Sequence, residues 1–423
     1  MATFLKQVPP PAPADVRRVA DTVSTILAAV RAEGWDAVRR YSRELDAWDP
    51  PDFRVGAEDI ERARATLAPD LLESMDFAHA QIGRFAGLQR QSMHDFEEET
   101  LPGVFLGQRH LPIANVGAYV PSGKYPMLMS AQMSILTAKV AGARRVVACA
   151  APYEGRGIYP AVLWSMHLAG ADEIYCVGGV QALGMMAYGC DGLPPVDFLC
   201  GPGNMYVAEA KRQLFGEVGI DLLAGPTEIL IIADESADPV MVAADLLGQA
   251  EHGPTSPAVL VSLSRLLAEA VLAEVDRQLP LLSSAEVAGA AWRDRGEVVV
   301  VRDRAEAVAM ADDYAPEHLE VQTADDSYFL DNLSSYGTLC LGEEATIVFS
   351  DKAIGTNHTL PTGRAARYTG GLWVGKFLKT VTYQRCTREG ALLVAPHAGR
   401  VSEAELFPGH ARSAHVRMEK YGG

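Results

Sequence analysis

Residues 228–252 read EILIIADESADPVMVAADLLGQAEH. The first part, 228–233, is a short apolar run of strand length, rich in isoleucine. The second part has the marks of a helix. Asp238 suits an N-cap, Pro239 suits the first helical position, and Val242, Ala243, Leu246, Leu247 and Ala250 form an apolar stripe. Gly253-Pro254 then stops it. A buried strand followed at once by an amphipathic helix is the repeating unit of an α/β fold. The same stretch sets Gln249 and His252 three residues apart, so both side chains leave one face and can close on one metal ion. An imidazole near a helix C-terminus and a solvated amide fit that spacing equally well.

Moving outward, the same alternation recurs on both sides. Upstream, 113–120, 145–150, 173–177 and 196–200 read as strands, with helical patterns at 131–141, 161–169, 180–188 and 206–215. Downstream, strands are expected at 258–263, 297–301, 318–322 and 338–341. Parallel sheets with helices on both faces follow, in two α/β units at 108–234 and 235–372. Residues 1–107 read as helices that pack with the second unit, one of them running from Pro13 to about Arg43 on the spacing of Val16, Ala20, Val23, Leu27 and Val30. The tail, 373–423, has helix-like pieces but too little core of its own and is expected to dock elsewhere.

The composition excludes several function classes. A chain of 423 residues, 48% hydrophobic and 22% charged, buries a large core. Its formal net charge of -17 disfavours nonspecific binding to nucleic acid or an anionic membrane and points to a small-molecule partner. Cys149, Cys176, Cys190, Cys200, Cys340 and Cys386 are scattered without a C-x-x-C pair and without an activating base beside them, so a catalytic thiol is not expected. No apolar stretch has the length of a signal peptide or a membrane span, and the expected location is the cytoplasm.

Four clusters combine polar groups with tight-turn residues: 201–204 (GPGN), 225–228 (GPTE), 315–318 (APEH) and 351–362, which begins at Asp351 and contains His358. Glu317-His318 can work as an acid/base unit, since a carboxylate can activate water or orient an imidazole that titrates near neutral pH. Asp351, His358 and His410 offer oxygen and nitrogen donors suited to zinc. Spacing alone does not select which of the ten histidines meet in space.

The strings YVPSGKYP (119–126), GGVQALGMMAYG (178–189), GPGNMYVAEAKRQLFG (201–216), GIDLLAGPTEILIIAD (219–234), DLLGQAEH (245–252), APEHLE (315–320), GTNHTLPTG (355–363) and ELFPGHARSAHVR (405–417) resemble the histidinol dehydrogenase family, in order over about three quarters of the chain. The resemblance implies two doubly wound, Rossmann-like α/β/α domains, aldehyde-dehydrogenase-like, with N-terminal helices and a small C-terminal tail exchanged across a homodimer. Carried over position by position, it makes Gln249, His252, Asp351 and His410 zinc ligands and Glu317 and His318 the acid/base pair. Tyr119, Gln181 and Asn204 fall where the family contacts NAD, and Thr227, His318, His358 and Glu405 where it contacts substrate. Glu405 and His410 would act in the partner's site. The implied reaction oxidises a primary alcohol to a carboxylate in two hydride transfers to NAD through a bound aldehyde.

The substrate-side residues depart from the histidinol pattern. The segment after Tyr-Val-Pro is shortened to 122–126 (SGKYP) and lacks the family's serine pair, Thr227 stands for a serine, and Arg364 stands for a glycine. Together with HGPTSPAVL (252–260) and RYTGGLWVGKFLKTVTYQ (367–384), these departures resemble the sulfopropanediol dehydrogenase branch. That resemblance implies oxidation of 2,3-dihydroxypropane-1-sulfonate to sulfolactate, with Lys124 and Arg364 as donors to a fixed anion. Oxidation of L-histidinol to L-histidine is the alternative, and a noncatalytic binding homologue the remote one.

Overall fold

The computed structural model describes residues 2–9, 16–122 and 125–422, with Val16 by its backbone alone. Lys124 therefore lies outside the described residues. The chain forms two parallel sheets, both covered by helices on their two faces, and a small antiparallel sheet.

The first sheet has the strand order Glu173–Cys176, Arg145–Ala150, Asn115–Val120, Phe198–Cys200, Gly219–Ile220, all parallel. Numbered along the chain that order is 3-2-1-4-5. It reverses between Asn115–Val120 and Phe198–Cys200, and at the carboxyl ends of those two strands a doubly wound sheet opens its ligand crevice. Val116, Ala118 and Val120 point to one apolar layer; Tyr119 points to the other.

The second sheet repeats the order with Gly296–Val300, Ala258–Ser262, Ile229–Ala233, His318–Gln322 and Thr338–Leu341, and strand Thr3–Lys6 adds antiparallel at its edge. All five residues of Ile229–Ala233 are buried, as a central parallel strand requires. Helix Pro239–Ala250 is N-capped by the Asp238 carboxylate, which accepts the Val240 N–H, and its stripe of Val242, Ala243, Leu246, Leu247 and Ala250 is buried. Each of the two leucines stabilises that docking by roughly 2–3 kcal/mol, and Leu246→Ala would cost about 2–5 kcal/mol. The helix ends at Ala250, two residues before His252, which sits in the turn beyond it with its N–H donated to the Gln249 carbonyl.

Four expectations need correction. The boundary between the two units falls before strand Ile229–Ala233 rather than at 234/235, because that strand is central in the second sheet. The segment expected as one helix to about Arg43 is two, Val16–Glu33 and Trp35–Asp46, broken at Gly34, whose φ of +56° lies in the left-handed region. Pro13 lies outside the described residues. These helices pack on the first sheet, not the second: Val23, Ile26, Leu27 and Val30 share an apolar layer with Val180, Leu183 and Met186. Their apolar stripe matches the helix Gly179–Tyr188, and only the Thr3–Lys6 strand reaches the second sheet. The tail is also more than helical pieces. Strand Leu378–Cys386 pairs along its whole length with Val104–Pro112, which pairs in turn with Phe96–Leu101, and helices Arg388–Ala404 and Pro408–Tyr421 follow. Among the described residues no helix is long and apolar enough to cross a membrane.

Candidate active site

In a parallel α/β unit, helices run back against the strands, so their C-terminal ends arrive at the amino edge of the sheet. The second sheet uses this edge. Glu228 and Glu317 immediately precede strands Ile229–Ala233 and His318–Gln322, which are hydrogen-bonded neighbours, and His318 opens the second of them. Helices Pro239–Ala250 and Ile347–Lys352 end nearby, delivering Gln249 and Asp351. Gln249, His252 and Asp351 line one cavity of about 470 Å³, together with Tyr125, Pro126 and Met127. That last segment follows the carboxyl end of strand Asn115–Val120, so the cavity lies between the carboxyl edge of the first sheet and the amino edge of the second.

Strand His318–Gln322 explains how so many polar groups are held under cover. Leu319 and Val321 enter the apolar layer on one face, while His318, Glu320 and Gln322 take the other and are all buried. Gln322 Nε2 donates to Asp245 Oδ2 at 3.2 Å, and Gln249 Nε2 lies 3.4 Å from His318 Nδ1. Asp245 and Gln249 are four apart on the docked helix, so helix and strand meet along a polar seam.

At the centre, Thr227 Oγ1 donates to Glu317 Oε2 and accepts from Gln249 Nε2. Glu317 Oε2 also accepts the Glu228 N–H at 3.0 Å. The His318 ring stands between two carboxylates, with Nδ1 3.5 Å from Glu317 Oε2 and Nε2 3.4 Å from Asp351 Oδ1. Burial works to lower the proton affinity of His318, but the Glu317 and Asp351 carboxylates outweigh it and push the imidazole up to about 10. Burial likewise opposes the charge of Asp351, yet the adjacent His318 ring and the nearby His358 and Lys352 hold its carboxyl below the usual range. His252 is lowered by burial, with Asp351 acting against the shift. His358 is also lowered by burial; its Nε2 faces Ser130 Oγ at 2.8 Å and its Nδ1 faces the Asp351 carbonyl at 3.1 Å.

Glu228 carried no role in the sequence beyond its place in the GPTE turn. Burial, reinforced by the adjacent Glu317, pushes its carboxyl up to about 7, and its Oε1 accepts the Gly363 N–H at 3.0 Å. Only the pairing of the two strands places it one strand away from Glu317, where two buried carboxylates must share a proton or be paired.

Some residues stay apart. Glu405 follows helix Arg388–Ala404 and His410 lies in helix Pro408–Tyr421 against the Phe407 ring; both are exposed and neither lines the cavity. Arg364 pairs with Asp313 at 2.6 Å on the surface, its backbone in the left-handed region at φ 68°.

A second polar group collects at the carboxyl edge of the first sheet. The Tyr119 hydroxyl accepts the Gly179 N–H at 3.3 Å, and Gln181 Nε2 donates to Asp46 Oδ2 at 3.1 Å, which leaves the buried Gln181 Oε1 without a partner. Asn204 caps helix Met205–Leu214, its Oδ1 accepting from the N–H groups of Tyr206 and Val207. The turn before it fits against Tyr119: a Cβ at Gly201 would lie 2.0 Å from the Tyr119 carbonyl oxygen.

The donors around the cavity suit a borderline divalent cation: an amide, an imidazole and a carboxylate, with Asp351 Oδ1 and His318 Nε2 buried and lacking hydrogen bonds. Among the described residues no three His, Cys, Asp or Glu side chains form a metal cage by themselves. The fit is thus to an incomplete set that lacks a fourth ligand from elsewhere.

Comparisons with known proteins bear on the family and the fold. A family model described as histidinol dehydrogenase matches residues 11–418. The chain is 54% identical over 405 residues to a histidinol dehydrogenase homolog of Shouchella clausii, covering 96% of this chain and 95% of that one. It is 46% identical over 420 residues to a sulfopropanediol 3-dehydrogenase of Ruegeria pomeroyi, covering 99% and 96%. The solved histidinol dehydrogenase of Elizabethkingia anophelis superposes with a TM-score of 0.93 at 33% identity, covering 99% of this chain and 95% of that one.

Proposed function

The chain belongs to the histidinol dehydrogenase family, NAD-dependent oxidoreductases acting on CH–OH groups, and from that premise we propose that it oxidises a short anionic diol, 2,3-dihydroxypropane-1-sulfonate, to the carboxylate sulfolactate. The observation that carries the chemistry is the buried His318 ring set between Glu317 and Asp351, the second of which lines the cavity. The substrate assignment is supported by the sulfopropanediol relative at 46% identity and by the departures at 122–126, Thr227 and Arg364.

In this reading Gln249, His252 and Asp351, completed by His410 of the partner subunit, hold zinc. When bound, zinc would polarise the alcohol oxygen and, by engaging Asp351, lower the proton affinity of His318 toward that of a base. His318 takes the hydroxyl proton at Nε2, the nitrogen left without a hydrogen bond. Glu317, oriented by the Thr227 hydroxyl and the Glu228 N–H, activates the water that hydrates the aldehyde before the second oxidation. Glu228, with its raised proton affinity, takes up that proton next door. Tyr119, Gln181 and Asn204 hold NAD at the switch point of the first sheet, facing across the junction to the cavity. The tail, whose Glu405 and His410 stand clear of their own cavity, completes the partner's site in a cytoplasmic homodimer.

The experiment is NADH formation by the zinc-loaded protein on 2,3-dihydroxypropane-1-sulfonate and on L-histidinol in parallel. A higher kcat/KM on the sulfonate is expected; equal or better turnover of histidinol would overturn the substrate assignment and leave the chemistry standing.

A further inference from the structure

Among the described residues one Lys or Arg side chain lines the cavity shared by Gln249, His252 and Asp351, and it is Lys352. It closes helix Ile347–Lys352, directly after Asp351, and its side chain is 49% exposed. Its Nζ stands 3.6 Å from Asp351 Oδ2, beyond the roughly 2.7–3.2 Å of an N–H···O hydrogen bond. No hydrogen bond from this ammonium is present among the described residues, so its three donors remain to be used.

The acidic residues of the same wall are committed to neighbours. Asp245 accepts from Thr346 Oγ1 and Gln322 Nε2, Glu251 accepts from Ser284 Oγ, and Asp351 Oδ1 faces His318. Arg364, the cation that the sequence placed near substrate, has its guanidinium on Asp313 instead. Lys352 is thus the cation that the cavity itself offers.

We infer that Lys352 anchors a fixed oxyanion on the substrate, a sulfonate or a group of like charge carried by a short alcohol, and disfavours alcohols that carry an amine. This rests on the anionic-diol reading above. A sulfonate presents three acceptor oxygens to an ammonium with three donors, whereas an ammonium on the substrate would meet Lys352 as a like charge. Lysine, a point charge on a flexible stem, also fits a small substrate whose anion lies a few bonds from the reacting carbon.

The test compares wild type, Lys352→Met and Lys352→Arg on 2,3-dihydroxypropane-1-sulfonate, on neutral glycerol and on cationic 3-amino-1,2-propanediol, with sulfolactate binding measured by calorimetry. In Lys352→Met, kcat/KM on the sulfonate is expected to fall about 10- to 100-fold, mostly through KM, the scale of one lost charged hydrogen bond. Sulfolactate affinity should fall in step, the glycerol rate should hold, the amine should improve, and Lys352→Arg should keep most of the sulfonate activity. An equal loss on all three alcohols would assign Lys352 a structural role and overturn the inference, as would unchanged sulfonate kinetics or a loss traced by sizing to a broken dimer. Wild-type rates judge the anionic reading separately. A wild type that favours the sulfonate while Lys352→Met does too, undiminished, removes only the anchor; a wild type without preference for the anion removes both.

Discussion

Lys211 and Asp221 grip one residue from its two sides: Lys211 Nζ donates to the Gly201 carbonyl at 3.0 Å, and Asp221 Oδ2 accepts the Gly201 N–H at 2.8 Å. The two side chains are paired with each other and are 2% and 0% exposed. This clamp seats the turn that carries Asn204 against Tyr119, where no side chain fits at Gly201.

Removing one member leaves a buried charge unpaired. Lys211→Met or Asp221→Leu alone should therefore cost roughly 3–5 kcal/mol of stability, and the double replacement should recover a large part of it. Urea denaturation of the three variants measures this. Additive losses in the double variant would show that the two charges do not depend on each other.

Thr227 carries a second testable relationship, since its hydroxyl ties Gln249 to Glu317. Thr227→Val should lower kcat about 10- to 100-fold, the cost of stripping a charged acceptor of a buried donor, while Thr227→Ser stays near wild type. A valine variant with unaltered kcat would mean that Glu317 does not need this bridge.

Glu320 predicts a pH dependence of stability. Burial and the neighbouring Asp245 carboxylate push its carboxyl up to about 8. The unfolded chain ionises it near 4.3, so the native state binds the extra proton between about 4.3 and 8, and the stabilisation present below that window is lost as pH rises through it. Glu320→Gln cannot ionise and should lose less stability between pH 5 and 8, by up to about 1.4 kcal/mol per pH unit. Parallel urea midpoints for both proteins across that range would count against a protonated Glu320.

The metal reading can be tested without turnover. His252→Ala and His410→Ala should each bind zinc at a fraction of wild-type affinity, as judged by metal content after dialysis against a chelator. Mixed and reassociated, the two inactive variants should regain about a quarter of wild-type activity, because a heterodimer contains one intact site if the tail serves its partner. Full zinc occupancy in His252→Ala would show that the ligand set is wrong, and no recovery on mixing would place His410 in its own subunit's site.

Much of this was legible in the chain. The strands 145–150, 318–322 and 338–341 fall where alternation and apolar runs put them, because central parallel strands are buried on both faces and must be written in apolar residues. Strand Phe96–Leu101 escaped for the opposite reason: every residue in FEEETL is exposed, and a run of three glutamates reads as a solvated face. The terminal strand Thr3–Lys6 and strand Leu378–Cys386 escaped likewise, lying at sheet edges with little buried surface.

By itself, the sequence determined the α/β alternation, the family, and the local pairs Gln249 with His252 and Glu317 with His318, because each depends on spacing along a helix or strand. Only the tertiary structure decided that the N-terminal helices cover the first sheet, that Glu228 lies beside Glu317, that Arg364 turns to Asp313 while Lys352 borders the cavity, and that the tail stands clear of its own site. Those facts depend on which strand ends and helix ends arrive at the same edge. That is set by burial of apolar faces summed over the whole fold, and no local pattern in the chain encodes it.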